Sequence, residues 1–213
     1  MIYEQENLMH CHPRLKICGI TRLEDALFAS QCGADAIGFV FYEKSPRYIK
    51  PESAKKIMQD LPPFLTVVGL FVNPMQAYID HILSVCNLDV IQLHGDESAD
   101  FCACQQRRVI KALPIIESKD LLRIADYDCA VLLDAKAPDG VYGGAGKSFD
   151  WNILSDVQHK APLLLAGGIG LNNVIEAKRI KGFYALDVSS GVESAKGIKD
   201  KQKMKVFCEK LCD

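Results

Sequence analysis

Two side chains stand where proton chemistry could be done. Cys18 ends the apolar run Leu15–Gly19, inside Lys16-Ile17-Cys18-Gly19-Ile20-Thr21, and Asp134 closes the run Val131-Leu132-Leu133. A cysteine in such a run is often only a small buried hydrophobe, and an aspartate can simply cap a loop. A buried unpaired carboxylate is costly, however, so a fold keeps one where it is solvated, paired or used. A thiolate can remove a proton and a carboxylic acid can deliver one, so the pair are candidates for proton transfer, with Asp134 read as an acid. Positive charge from Lys16, Arg47 or helix N-termini is expected to hold the thiol below its ordinary value.

Around this pair stand groups suited to holding an anionic substrate. Arg47, in Lys44-Ser45-Pro46-Arg47-Tyr48, offers a planar fork that matches a carboxylate. Gln92 and His94 alternate along Ile91-Gln92-Leu93-His94, so both point to one face, as substrate contacts or as satisfied core groups. Gly167 and Gly168 follow one apolar run, and Ser189, Ser190 and Gly191 follow another. Backbone N–H groups in such positions cradle phosphate. A third glycine-rich stretch, Tyr142-Gly143-Gly144-Ala145-Gly146-Lys147, lacks the second half of a nucleotide-binding P-loop and reads as a mobile loop over the site.

These residues need a scaffold that brings the ends of separate runs together. Short β-branched runs recur at Leu15–Gly19, Ala36–Phe41, Thr66–Val72, Val90–His94, Val109–Ala112, Ala130–Asp134, Leu163–Ala166 and Ala185–Ser189. Helical periodicity begins near Arg22, Pro51, Pro74, Ser98, Ser118, Trp151, Asn172 and Lys199, with Asn73 as an expected N-cap. Repeated strand–helix units predict a parallel sheet, and this number in this length predicts a single-domain (β/α)8 TIM barrel. A doubly wound open sheet is the alternative, but no G-x-G-x-x-G turn follows the first strand. In a barrel the C-terminal strand ends form the active face, and the candidate residues cluster there.

Composition narrows the function further. A chain of 213 residues, 49% hydrophobic and 24% charged with net charge −2, is globular and carries no basic stripe, which argues against nucleic acid as a partner. No apolar stretch approaches the roughly 20 residues that span a bilayer, so no membrane association is expected. Residues 1–13 lack the pattern of a secretory signal and are read as a leader to the barrel, residues 14–213. Nine cysteines, an odd number set mostly in buried runs, suit reduced thiols in a cytoplasmic protein. His10, Cys11, His12, Cys102 and Cys104 lack the spacing of zinc ligands, so no metal is expected.

Taken together the strand-end segments resemble the phosphoribosylanthranilate isomerase family of tryptophan biosynthesis. The likeness runs from Lys16 to about Lys199, through Lys16–Thr21, Gly33–Phe41, Ser45–Tyr48, Gln92–Gly95, Leu132–Asp134, Gly143–Trp151 and Asp187–Glu193. It implies an Amadori rearrangement of a small phosphorylated substrate without metal or organic cofactor, in a monomer or homodimer. It also implies Cys18 as base, Asp134 as acid, Arg47 on the anthranilate carboxylate and the two late loops on the phosphate. Residues 1–13 have no counterpart, and Lys136–Tyr142 looks lengthened. The related isomerase of histidine biosynthesis, which uses two aspartates, is the rival enzyme, and Cys18 argues against it. A non-catalytic phosphate-binding barrel is the rival of another class, and it predicts loss of one member of the acid–base pair.

Overall fold

The computed structural model describes residues 12–135, 151–154, 157 and 159–213. Eight parallel strands close into a barrel in sequence order. They are β1 (Arg14–Cys18), β2 (Ala36–Val40), β3 (Thr66–Phe71), β4 (Val90–Leu93), β5 (Arg108–Ile115), β6 (Ala130–Ala135), β7 (Leu163–Leu165) and β8 (Ala185–Val188). Closure is made by β1 pairing with β8, with Lys16 opposite Asp187. Between the strands lie α1 (Leu23–Gln31), α2 (Pro51–Gln59), α3 (Gln76–Val85), α4 (Ala99–Ala103), α5 (Val174–Ala177) and α6 (Lys201–Cys212). The segments Ser118–Asp126 and Trp151–Leu154 are 3-10 helices. Among the described residues, no helix is long and apolar enough to cross a membrane.

The period-two alternation of the strands sorts side chains between two cores. Ile17, Ile37, Phe39, Phe71, Ile91 and Leu133 face outward into one cluster with the helices, and all are fully buried. Val68, Val90, Ile110, Leu132 and Leu164 fill the barrel below, while Cys18, Val40, Leu70 and Val72 form a smaller group above them. The helices bury narrow stripes, as α6 does with Met204, Phe207, Cys208 and Leu211 at helical spacing. Asp200 starts that helix by accepting a hydrogen bond from the Lys203 N–H at 2.9 Å. Pro51 opens α2 at a position where a missing N–H costs nothing.

Two sequence expectations change, the Asn73 cap and the bounds of β5. Asn73 does not cap a helix starting at Pro74: it adopts φ 47°, its amide carbonyl accepts from Asp96 N–H, and α3 begins at Gln76 after Met75. The last helix begins at Lys201, near the expected Lys199, and a small antiparallel hairpin of β9 (Glu193–Ala195) and β10 (Ile198–Lys199) precedes it. β5 is also longer than Val109–Ala112. The expected loop Tyr142–Lys147 and the leader through residue 11 lie outside the described residues.

Candidate active site

The C-terminal strand ends surround an open cavity. Its lining includes Cys18, Arg47, Gln92, His94, Asp134, Gly167, Gly168, Ser189 and Ser190, so residues read separately from the sequence meet at one mouth. Gly191 is not in the lining but pairs with Gly170 beside it. Tyr42, Ser45, Ile169 and Asp187 join the wall, and Val40, Leu70, Val72 and Ala166 supply apolar surface.

Asp134 is held by a short relay. His94 Nε2 lies 3.0 Å from Asp134 Oδ2, and Gln92 Nε2 lies 3.0 Å from His94 Nδ1. With the Gln92 amide donating, Nδ1 accepts and the Nε2–H donates to Asp134, which orients one of its carboxylate oxygens. Gln92 and His94 therefore both point into the barrel, as the alternation on β4 requires.

Cys18 stands across the mouth on β1, with Gly38 of β2 directly opposite in register. A Cβ on Gly38 would lie only 2.8 Å from the Cys18 sulfur, so the thiol occupies space that glycine leaves. Burial pushes the Cys18 thiol up, and Lys16 and Lys199 offset only part of that push. The expectation of a lowered thiol is thus reversed, because desolvation penalises the thiolate more than the nearby ammonium groups favour it. Lys16 pairs with Asp187 at 2.9 Å, with both side chains buried. Burial alone would lower the Lys16 ammonium, but Asp187 and Cys18 hold it above its ordinary value.

The glycine loops after β7 and β8 close the remaining side. Gly167 and Gly168 have φ of 85° and 68°, a region that side chains other than glycine rarely adopt. Asn173 braces their turn, accepting from Gly170 N–H at 2.8 Å and donating to the Gly168 carbonyl at 3.0 Å. Among the described residues no acceptor takes up the N–H groups of Gly167, Gly168 or Ser190. Backbone donors of this kind beside a cavity suit an anion.

The family profile described as N-(5'-phosphoribosyl)anthranilate (PRA) isomerase matches residues 15–210. The chain belongs to this family. A curated phosphoribosylanthranilate isomerase from Geobacter metallireducens is 50% identical over 195 residues, 91% of this chain and 96% of that one. The crystal structure of phosphoribosylanthranilate isomerase from Thermotoga maritima has TM-score 0.86 at 43% identity, covering 93% of this chain and 98% of its own. A second solved isomerase, in complex with reduced 1-(o-carboxyphenylamino)-1-deoxyribulose 5-phosphate, has TM-score 0.83 at 40% identity over the same shares.

Beyond the residues that family resemblance singled out, the isomerase mouth holds a buried ionic cluster. Arg47 donates from Nε and Nη2 to the two carboxylate oxygens of Glu193 at 2.8 and 2.7 Å. One edge of the fork expected to meet a substrate is therefore already engaged, and a ligand carboxylate would meet its remaining N–H groups. Lys199 donates to Glu193 at 2.9 Å, to the Cys18 carbonyl at 2.6 Å and to the Ser189 carbonyl at 3.1 Å. Burial pulls the Lys199 ammonium below its ordinary value, against the pull of Glu193. Glu193, Lys199 and Asp187 had no role assigned from sequence, and Lys16 only that of a positive charge near the thiol. The one available signal was the charge of Lys16 and Asp187 at positions that the alternation of β1 and β8 turns inward. As for the cysteines once weighed as metal ligands, Cys102 is buried and Cys104 exposed on or beside α4, while His10 and Cys11 lie outside the described residues.

Proposed function

We propose that the mouth carries out the Amadori rearrangement of N-(5'-phosphoribosyl)anthranilate to 1-(2-carboxyphenylamino)-1-deoxyribulose 5-phosphate, with Asp134 as general acid and Cys18 as general base. The observation that carries this reading is that both groups face one cavity from separate strands, with an anion-suited loop pair between them. Asp134 protonates the furanose ring oxygen, the C1'–O bond breaks, and the nitrogen lone pair forms an iminium. The carboxylate left behind keeps the hydrogen bond from His94 at 3.0 Å. The iminium acidifies the neighbouring C2' proton, which the Cys18 sulfur takes to give an enolamine, and tautomerisation gives the ketone. This step requires the thiolate: the thiol, held up by burial, gives its own proton to solvent as the iminium cation forms, and the Lys16 and Lys199 ammonium groups together with that cation favour the thiolate that then takes the C2' proton.

Gly167, Gly168, Ser189, Ser190 and Gly191 are assigned to the phosphate and Arg47 to the anthranilate carboxylate, with Gln92 and His94 beside the reacting carbons. The reading needs no cofactor and is compatible with a cytoplasmic monomer or homodimer. The test is turnover of the anthranilate substrate, followed by its fluorescence, in the wild type, Cys18→Ser and Asp134→Asn. Each variant should lose about 10²- to 10⁴-fold in kcat, the typical contribution of a positioned proton-transfer group. Wild-type kcat in either folded variant would remove that residue from the mechanism.

A further inference from the structure

Asp187 is a buried carboxylate with one oxygen spoken for and one bare. Oδ2 takes the Lys16 ammonium at 2.9 Å, whereas Oδ1 is fully buried and finds no hydrogen-bond partner among the described residues. The side chain is 8% exposed and belongs to a residue that lines the cavity. Gln92 Oε1 on the facing wall is orphaned in the same way and lines the same cavity. Buried acceptors are almost always satisfied in folded proteins, and two orphans on one cavity point to partners that arrive with a ligand.

We propose that Asp187 is a substrate-binding residue whose Oδ1 accepts a hydrogen bond from a hydroxyl of the ribosyl chain, with Gln92 Oε1 taking a second one. The inference rests on the reading of the mouth as a sugar-phosphate site. Charge selects this partner: the phosphate and carboxylate ends of such a substrate are repelled by Asp187, which leaves the neutral donors between them. Burial makes the carboxylate a stronger acceptor, pushing its proton affinity up against the pull of Lys16, with Asp134 adding to the rise. The placement of Asp187 fits a contact to the middle of the substrate, since β8 lies between the β1 that carries Cys18 and the β6 that carries Asp134, and all three line one cavity.

Asp187→Asn keeps the shape and replaces a charged acceptor by a neutral one. Three probes are titrated against wild type and variant: the reduced 1-(o-carboxyphenylamino)-1-deoxyribulose 5-phosphate, ribitol 5-phosphate and inorganic phosphate. A hydrogen bond to a charged partner is worth about 10- to 150-fold in affinity, so the first two should weaken by that factor while inorganic phosphate binds unchanged. Equal affinity of wild type and variant for ribitol 5-phosphate overturns the inference. Loss confined to the reduced analogue also overturns it, because the donor would then be the amine rather than a hydroxyl. Parallel loss for all three probes overturns it too, as general damage to the mouth. Should the single variant not fold, Lys16→Gln with Asp187→Asn removes both buried charges together and is subject to the same comparison. If the wild type binds none of the three, it is the sugar-phosphate reading itself that fails.

Discussion

Gly38→Ala should disable the base while leaving the barrel standing. The added Cβ would sit 2.8 Å from the Cys18 sulfur and 3.3 Å from both Cys18 Cα and Lys16 Cε. Non-bonded carbons rest at about 3.5–4.0 Å, so the sulfur must retreat by roughly 1 Å or the two strands must part. Strand separation is opposed by the β1–β2 ladder and by the Gly38 carbonyl, which accepts from both Gly19 N–H and Ile20 N–H at 2.9 Å. The thiol therefore moves, and a displacement of about 1 Å at a reacting group costs on the order of 10²-fold in rate, about 2.7 kcal/mol. The strain should also lower stability by about 1–3 kcal/mol, the usual cost of overpacking. Gly69→Ala provides the comparison, because its Cβ would meet Leu88 Cδ1 at 2.4 Å in the outer core, away from the mouth. Urea unfolding and steady-state turnover of both variants give the answer. Both should lose stability, but only Gly38→Ala should lose kcat. Wild-type kcat in Gly38→Ala, or an equal fall in Gly69→Ala, refutes the steric account of how the thiol is placed.

Gly168→Val places a β-branched residue at φ 68°, so it should weaken substrate binding and abolish competition by inorganic phosphate, measured as the phosphate inhibition constant. Absence of phosphate competition in the wild type would count against the site. Because burial raises the Cys18 thiol, its neutral form is favoured in the folded protein at neutral pH, and that contribution is lost as pH rises through the raised value. Alkylation mapped to Cys18 by peptide mass spectrometry should therefore climb only above about pH 8.5, the ordinary thiol value, well after the exposed Cys104 and Cys212 have reacted. Labelling of Cys18 ahead of those two at neutral pH would show that the thiol is instead activated in the free protein.

The parts of this molecule that follow from local pattern were legible in its sequence. Eight apolar runs mark the eight strands to within a few residues, and side chains at strand ends, Cys18, His94 and Asp134 among them, converge because the barrel fixes where strand ends go. What escaped was short or distant. The strands of the β9–β10 hairpin span three and two residues, too few to show a period, so the hairpin was not read. Lys16 meets Asp187 across 171 residues of chain, and Arg47 meets Glu193 across 146. Such pairs exist only once β1 has found β8, and no spacing encodes them. The direction of the Cys18 shift escaped for a related reason: the charges near the thiol can be read from sequence, but the depth of its burial is a property of the closed barrel.

The buried lysines help to fix the geometry of the mouth. A parallel barrel ends, at its C-terminal rim, in strand carbonyls that no further residue of the neighbouring strand can satisfy. Lys199 takes up the carbonyls of Cys18 and Ser189 at the β1 and β8 ends, and Glu193 holds it in place. Lys111, fully buried on the outer face of β5, donates to the Gly95 carbonyl at 2.6 Å and to Glu97 at 2.7 Å, just beyond the β4 residue that leads into His94. Glu97 in turn accepts from Asn73 N–H at 2.8 Å and from Gly95 N–H at 3.0 Å, which ties the β3 and β4 ends together. A buried ion pair adds little stability over an apolar replacement of the same volume, so stability does not account for these charges. Position does. One clamp fixes the backbone that carries Cys18, and the other fixes the turn after His94, through which Asp134 is oriented. The base and the acid are thus held by separate ionic anchors on opposite sides of the cavity.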